Sequence, residues 1–482
     1  MKTPISLIAL MLFLHPVGYG QKLQWSLPQK VSERSYITEC IGENSSGLYI
    51  MKRNNRGQSH NIILERYSDD MRRSVDKMLL TKHGEYFIKF FMDSTGVSML
   101  YAVPDKDKKL TQIMLKKIGP SLNDIGKDTA IFSVEGNDPE QAMITGYRMK
   151  TDPDILVTYT SEKNDNPSSY NYILFDNEFK KLFSGILSIG SANKSSIEQV
   201  CFTRDEIALL VHEELKNKGA GRGYRFSIYD NRFGETELNK TELFSDSFSV
   251  TEGILKPDFK NNTLVFGGLF ANKDSTYVKG YYFWQKDLKT NKSSYNYTRF
   301  SRDIIAEMAG RSNHLAGIFN LRAGDLALRG DGGMILSAEE YQETHETVTD
   351  INAYGVAQPN VRNFFYYQNL LVLSINPKGG VDWHTVLRKD QVTVNDNGTF
   401  SSYLLTVTPD RLLYVFNDLS RKNWNLSVTE INDKGEATTG ILVRPQNYEG
   451  RMIPQYGDQV AYNEFLIPGI TPRGIVLLKV TY

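Results

Sequence analysis

NTLVFGGLFANKDSTYVKGYYFWQKDLKT, residues 262–290, holds two apolar and aromatic runs separated by the polar loop ANKDST and followed by a Lys/Asp/Thr turn. Short runs rich in Val, Leu, Phe and Tyr and bounded by turn formers read as strands joined in a hairpin. Working outward, the same plan recurs in GLYIMKR (47–53), GEYFIKFFMDS (84–94), DILVTYTSEKNDNPSSYNYILFDNEFKKL (154–182), EIALLVHEELKNKGAGRGYRFSIYDNRFGETEL (206–238), NLLVLSINPKGGVDWHTVLRKDQ (369–391) and DRLLYVFNDLSRKNWNLSVTEINDKGE (410–436). Asn54, Asn55, Gly57, residues 376–380 and residues 432–435 supply the backbone freedom that tight turns need. The repeat is a β-meander, counted about seven times at a spacing of roughly 40–70 residues.

One meander leaves its edges and at least one face exposed, and radial stacking around a channel covers both. The expected fold is therefore all-β, a β-propeller of seven blades of antiparallel meanders forming a single domain over 21–482. Six or eight blades also fit the irregular spacing; a β-sandwich with a second domain, or a β-helix, are the other readings. The C-terminal strand, ending at Tyr482, either closes the ring beside the mature N-terminal strand or finishes the last blade in order. Helix is expected only at 303–308, where Asp303 stands near the start and Gly310 follows as a stop. That helix falls where the meander rhythm fails, in an irregular inter-blade insert around 291–349.

The balance of 56 Lys+Arg against 56 Asp+Glu offers no long-range attraction to a polyanion, so no nucleic acid partner is expected. The opening MKTPISLIALMLFLHPVGYG has a basic start, an apolar run over 5–14 and a Pro/Gly tail, the form of a signal peptide spanning 1–20. No later apolar run reaches the length of a membrane-spanning helix. The mature chain is expected as a monomer without a transmembrane segment, in the periplasm or outside the cell. Cys40 and Cys201 form no CxxC and fall in different meanders, so no disulfide is expected between them.

Motifs with chemical content are few. His212 in VHEELK lacks the second His of a zinc helix, and Asn313-His314 and ETHE (343–346) read as solvated polar turns. GAGRG (219–223) runs into the strand-like YRFSIYD, whereas a pyrophosphate site needs the loop to open a helix. Arg329-Gly330-Asp331 matches the integrin-recognition tripeptide but lies in a glycine-rich turn between strands. No GxSxG elbow occurs, and SANK (191–194) has neither SDN nor KTG to complete its site. No cofactor and no metal are expected.

Most of the 27 Tyr and 24 Phe are needed to pack both faces of the blades, leaving a minority for a channel mouth that grips glycan or peptide. Inserts between blades emerge at the rims, where loops carry function. Arg302, Arg311, Asn313, His314 and Arg322 are the candidate ligand-binding residues, beside Tyr295, Tyr297 and Phe319; the competing reading is that the insert only plugs the channel. The expected function is an exported binding or scaffold protein of the cell envelope or periplasm, with a glycan, a peptide or another envelope protein as partner. A propeller-based hydrolase or lyase acting on polysaccharide or peptide is the alternative, because carboxylates can converge from different blades. A structural surface component is the third.

Asp331, Gly332, Gly333, Leu336, Glu339 and Tyr341 form a "DGG…L..E.Y" hairpin, and Gly380, Trp383, Leu387, Lys389 and Gln391 a "G…W…L.K.Q" strand pair. Over 328–419 this resembles a class of exported β-propeller-like proteins of uncharacterised function from Bacteroidetes-type bacteria. The resemblance implies a propeller and export, and names no activity.

Overall fold

The structure, a computed structural model, describes residues 21–482 apart from 31–35, 55–60, 81–83, 95, 137, 140–141, 150–152, 161–168, 190–194, 216–222, 236–237, 245–246, 273–274, 276, 310–316, 352–356, 419–423 and 445–449. The expected signal peptide, 1–20, lies outside the described residues.

Among the described residues the regular structure is antiparallel strand apart from one helix and one 3-10 turn, and it forms eight sheets. In chain order, sheet I holds Tyr36–Asn44, Gly47–Asn54, Asn61–Tyr67 and Arg73–Leu80; sheet II holds Tyr86–Met92, Val97–Asp105, Leu110–Ile118 and Thr129–Glu135. Sheet III holds Thr145–Arg148, Ile155–Tyr159, Ser169–Phe175 and Lys181–Ser188, and sheet IV holds Ser195–Phe202, Glu206–Leu215, Gly223–Arg232 and Asn239–Glu242. Sheet V holds Phe248–Asp258, Thr263–Asn272, Tyr277–Asp287 and Ser293–Arg299, with Ile318–Phe319 added to its third strand. Sheet VI holds Leu321–Leu328, Met334–Ile351, Ala357–Ile375 and Val381–Leu387, with Gln391–Val394 added. Sheet VII holds Tyr403–Val407, Arg411–Asp418, Asn425–Asn432 and Ala437–Val443.

Sheet VIII is assembled from both ends of the chain. Lys22–Trp25 pairs antiparallel with Gly474–Thr481, Lys22 opposite Thr481 and Trp25 opposite Leu478. Gly474–Thr481 pairs in turn with Glu464–Thr471, whose other side takes the short strands Arg451–Met452 and Asp458–Ala461. This sheet is why seven meanders become eight sheets. Its first strand is split by the 3-10 turn Pro454–Tyr456 and its last strand lies more than four hundred residues upstream, so it does not read as a local three-run meander.

Apolar clusters fill each interface between successive sheets, and the series returns to its start. Met51 and Phe90 join I to II, Phe91 and Ile173 join II to III, Tyr172 and Phe202 join III to IV, and Leu210 and Phe266 join IV to V. Leu269 and Leu336 join V to VI, Val372 and Tyr414 join VI to VII, Val415 and Phe465 join VII to VIII, and Leu466 and Leu48 join VIII to I. Middle strands such as Thr263–Asn272 are almost wholly buried because both faces are covered, so they read as continuous apolar runs without alternation. The result is an all-β, propeller-like architecture of antiparallel sheets.

The stretch 291–349, expected as an irregular insert, is mostly strand. Ser293–Arg299 is the outer strand of sheet V, and Leu321–Leu328 and Met334–Ile351 open sheet VI. Outer strands face solvent, so SSYNYTR carries few of the apolar letters that mark a strand. The helix α1, Arg302–Ala309, matches the expected position. The Ser301 hydroxyl accepts the Ile304 amide at 3.2 Å, and the Asn369 side-chain amide donates to the Met308 carbonyl at 3.1 Å, so both ends are capped. Ile304 and Met308 are buried between sheets V and VI. Cys40 lies in sheet I and Cys201 in sheet IV, and they are not bonded to each other.

Candidate functional site: two cavities between neighbouring sheets

The first strands of neighbouring sheets approach one another and line two cavities. One, of about 990 Å³, is bounded by residues 39–43 of sheet I, Phe87 and residues 89–93 at sheet II, Arg148 of sheet III and residues 458–460 of sheet VIII. The other, of about 490 Å³, is bounded by Glu198 and Gln199 of sheet IV, residues 252–254 and Lys256 of sheet V, and residues 323–326 of sheet VI.

These strands share a local irregularity. The register against the second strand slips at Ile41, Ile88, Glu198, Thr251, Gly324 and Val460. Such a bulge bends the strand and re-aims the side chains around it. A charged residue stands within two positions of each one: Glu39 and Glu43, Lys89, Glu198 itself, Glu252, Asp325 and Asp458. At Gly324 a Cβ would run into the Tyr403 hydroxyl of sheet VII, so glycine lets the two strands come close.

Carboxylates outnumber cations among the lining residues: Glu39, Glu43, Asp93 and Asp458 against Lys89 and Arg148 in the larger cavity, with Glu43 also held by the buried Lys479, and Glu198, Glu252 and Asp325 against Lys256 in the smaller. Lys89 Nζ lies 2.8 Å from Glu39 Oε1, and Lys256 Nζ donates to the Leu326 carbonyl at 2.5 Å. Burial raises the pKa of Glu252, against the opposing pull of Arg322 and of the Ala323 amide, which donates to Glu252 Oε2 at 2.9 Å. A wall of this sign favours neutral or cationic ligands over acidic ones.

Beside the smaller cavity, Arg322 sits over the Tyr341 ring at 3.8 Å from its centroid, with Nε 3.8 Å from Glu252 Oε1. Tyr341 meets Tyr367 edge-on at 4.8 Å, and its hydroxyl donates to Glu343 Oε2 at 3.2 Å. Of the expected ligand-binding residues, Arg322 thus lies beside Tyr341 and Glu252 in place of the expected aromatic neighbours. Tyr295 instead stacks on Tyr282, Tyr297 packs on Phe248, and Phe319 on Tyr277. Arg302 is exposed at the first turn of α1. Arg311, Asn313 and His314 lie outside the described residues.

The remaining motifs resolve into structural roles where they are described. Arg329 Nη2 pairs with Asp331 Oδ2 at 2.8 Å, while Nη1 reaches Ser374 Oγ at 2.7 Å and Asp382 Oδ2 at 2.5 Å, so the tripeptide's charges are spent on the turn. His212 stacks on Phe226 at 4.8 Å. ETHE lies in a strand and not in a turn, with His345 Nδ1 2.8 Å from Asn363 Oδ1. SANK and residues 219–222 of GAGRG lie outside the described residues. Among the described residues no group of three or more His, Cys, Asp and Glu is placed to hold a metal ion, and no helix is long and apolar enough to cross a membrane.

Sequence reasoning missed Glu39, Lys89, Glu198, Glu252, Asp325 and Asp458. Their signal was a charge interrupting an apolar run near the start of each meander, as in TECIGE, FIKFF, IEQV and TEGIL.

No protein-family model and no curated protein matches the chain. Among solved structures it is similar to the WD40 domain of SCAP from fission yeast, at 8% identity and TM-score 0.42 over 96% of this chain and 98% of that one. It is also similar to the polysaccharide lyase Uly1, at 11% identity and TM-score 0.38 over 95% of this chain and 99% of that one. A Synechocystis apocarotenoid oxygenase mutant matches at 9% identity and TM-score 0.35, over 87% of this chain and 96% of that one.

Proposed function

We propose that this chain is an exported binding or scaffold protein of the cell envelope, in the periplasm or at the cell surface, built on an eight-bladed ring closed by its N-terminal strand. Its ligand is a glycan or a peptide, neutral or positively charged, held at the rim where sheets V and VI meet. The observation that carries this reading is the Arg322–Tyr341–Tyr367 stack beside the channel carboxylate Glu252. Aromatic faces and a planar guanidinium offer large, oriented contacts to sugar rings and peptide groups, and Glu252 supplies a hydrogen-bond acceptor. The acidic wall behind them supports a ligand without net negative charge.

A glycan and peptide panel, followed by calorimetry on any hit, tests the site. Tyr341→Ala and Arg322→Ala should each weaken binding by about tenfold or more, the loss of ~1.4 kcal/mol or greater. Unchanged affinity in both variants, with unchanged thermal melts, rejects the site. Export is tested by N-terminal sequencing of protein from the envelope fraction: a start at Gln21 is expected, and an intact Met1 on cytoplasmic protein rejects it. A hydrolase or lyase is the second reading, favoured by the raised pKa of Glu252, which suits a proton donor. Incubating a bound glycan or peptide with wild type and Glu252→Gln, and looking for cleaved product lost in the variant, decides it.

A further inference from the structure

Two strands of sheet VI run far beyond the sheet. Met334–Ile351 and Ala357–Ile375 pair from Met334 opposite Ile375 out to Ile351 opposite Ala357. Leu321–Leu328 covers the other edge of Met334–Ile351 only as far as Glu340, and the last bond on that side runs from the Tyr341 amide to the Asn320 carbonyl at 3.0 Å. Among the described residues no strand pairs with 342–351 on that edge, while Gln391–Val394 pairs with 364–367 on the opposite side of the ribbon.

The Tyr341 bond fixes which backbone groups face the open side. N–H and C=O groups alternate between the two edges of an antiparallel strand. Glu343, His345, Thr347 and Thr349 therefore present theirs outward, over about 20 Å at ~3.4 Å per residue. Exposed edges are usually guarded by Lys, Pro or a bulge. QETHETVT, 342–349, has no Lys or Pro and no register shift, and its Thr and Val residues favour extended backbone.

What the edge strand itself carries is negative charge, from the exposed Glu343 and from Glu346, which stands opposite Arg362 of the inner strand. Two copies pairing edge to edge would bring these carboxylates together, whereas a strand bearing Lys or Arg would neutralise them. We propose that the open edge at 342–349 takes an extended basic peptide segment as an added antiparallel strand. This edge adjoins the rim stack, whose Tyr341 hydroxyl donates to Glu343, but its outward backbone groups are present whether or not that stack binds a ligand.

The test uses the full mature chain and a fluorescent nonapeptide of Thr and Val with Lys at both odd and even positions, so that both faces of the added strand carry charge, read by anisotropy beside its Glu-for-Lys counterpart. Thr347→Pro removes an outward N–H while leaving the bonds to Ala357–Ile375 in place. Glu343→Lys combined with Glu346→Lys reverses the charge. The Lys peptide should bind wild type, lose at least tenfold in affinity with Thr347→Pro, and lose binding on charge reversal, which should admit the Glu peptide. Failure of the Lys peptide to bind wild type, or binding that ignores both edge variants while their circular dichroism and melts match wild type, overturns the proposal. So does sedimentation showing a wild-type dimer that Thr347→Pro dissolves, because the occupant would then be a second copy.

Discussion

Replacing Lys479 by Met should weaken the junction between the last and first sheets. Lys479, on Gly474–Thr481 of sheet VIII, places Nζ 2.8 and 2.9 Å from the two carboxylate oxygens of Glu43 in sheet I, and 2.8 Å from Glu464 Oε2. Its side chain is 5% exposed, against 18% for Glu43 and 23% for Glu464. Methionine keeps the length and removes the charge, leaving two carboxylates facing each other. Breaking a buried pair costs about 3–5 kcal/mol, and the residual hydration of these carboxylates places this case near ~3 kcal/mol. With an unfolding entropy of ~2.1 cal/mol/K per residue, a chain of this size has about 1 kcal/mol/K in total, so Tm should fall by only ~3 °C. Equilibrium urea unfolding, read as a midpoint shift, is therefore the sharper assay. Burial alone would lower the Lys479 pKa, but Glu43 and Glu464 raise it above its ordinary 10.5; burial alone would raise that of Glu464, but Lys479 and Thr481 pull it below its ordinary 4.5. The lysine's contribution is thus lost as pH rises through its raised value, and the glutamate's as pH falls through its lowered one, so the pair stabilises fully between about 4.5 and 10.5. The penalty of Lys479→Met should shrink below that window's acid end, and adding Glu43→Gln and Glu464→Gln should recover most of it at pH 7. A loss under ~0.5 kcal/mol at pH 7, or a triple variant no better than the single one, would refute the reasoning.

Burial raises the Glu340 pKa to about 7, against Asn369 and Arg388. A raised value means stability is present below the ordinary 4.5 and is lost as pH rises toward 7, by ~3 kcal/mol; urea titrations across this range should show the slope, and Glu340→Gln should flatten it. Gly324→Ala should cost about 1–3 kcal/mol through the Tyr403 hydroxyl, and adding Tyr403→Phe should return part of that, as thermal melts can check. Burial, then the charges of Glu206 and Asp230, push the Cys201 thiol up, so in a Cys40→Ser variant a thiol reagent should label Cys201 only on unfolding; labelling at the rate of a free thiol would contradict this.

Hairpins were legible because their determinants are local: a run of Val, Leu and Phe, then Asn, Asp or Gly. The pairing of the N-terminal strand with Gly474–Thr481 was one of two expectations, but sheet VIII itself was hidden because its first strand is split into Arg451–Met452 and Asp458–Ala461 by the turn Pro454–Tyr456. Outer strands such as Ser293–Arg299 were hidden by their solvent-facing polarity. Arg322 was singled out by its charge in a segment of broken rhythm, but its neighbour Tyr341 lies on the next strand, and a register is not readable from composition. Glu339, Lys389 and Gln391, which carried the family resemblance, form a buried network: Lys389 joins Glu339 and Gln391, Ser402 Oγ reaches Glu339 at 2.7 Å, and Gln391 Nε2 reaches the Asn417 carbonyl at 2.8 Å. The residues that looked most distinctive hold sheets VI and VII together.

That network explains how sheet VI can carry both the rim stack and a projecting ribbon. A two-stranded ribbon is marginally stable in water by itself, so its order must come from its base. The base is held from three directions: by Arg329 bridging Asp331, Ser374 and Asp382 at the far end of the sheet, by the Trp383 indole donating to the Asp433 carbonyl of sheet VII at 2.9 Å, and by the Glu339–Lys389–Gln391 network beneath the ribbon. Gln391–Val394 then adds a third strand along 364–367, and Phe365 is buried where the ribbon leaves the sheet. Polar networks whose members are mutually bonded restrict a site to one geometry more sharply than apolar packing does. Arg322 and Tyr341 sit where this anchoring ends, and the open edge begins at the next residue. An oriented stack and a straight line of open backbone groups both depend on a rigid root, and these anchors give sheet VI one.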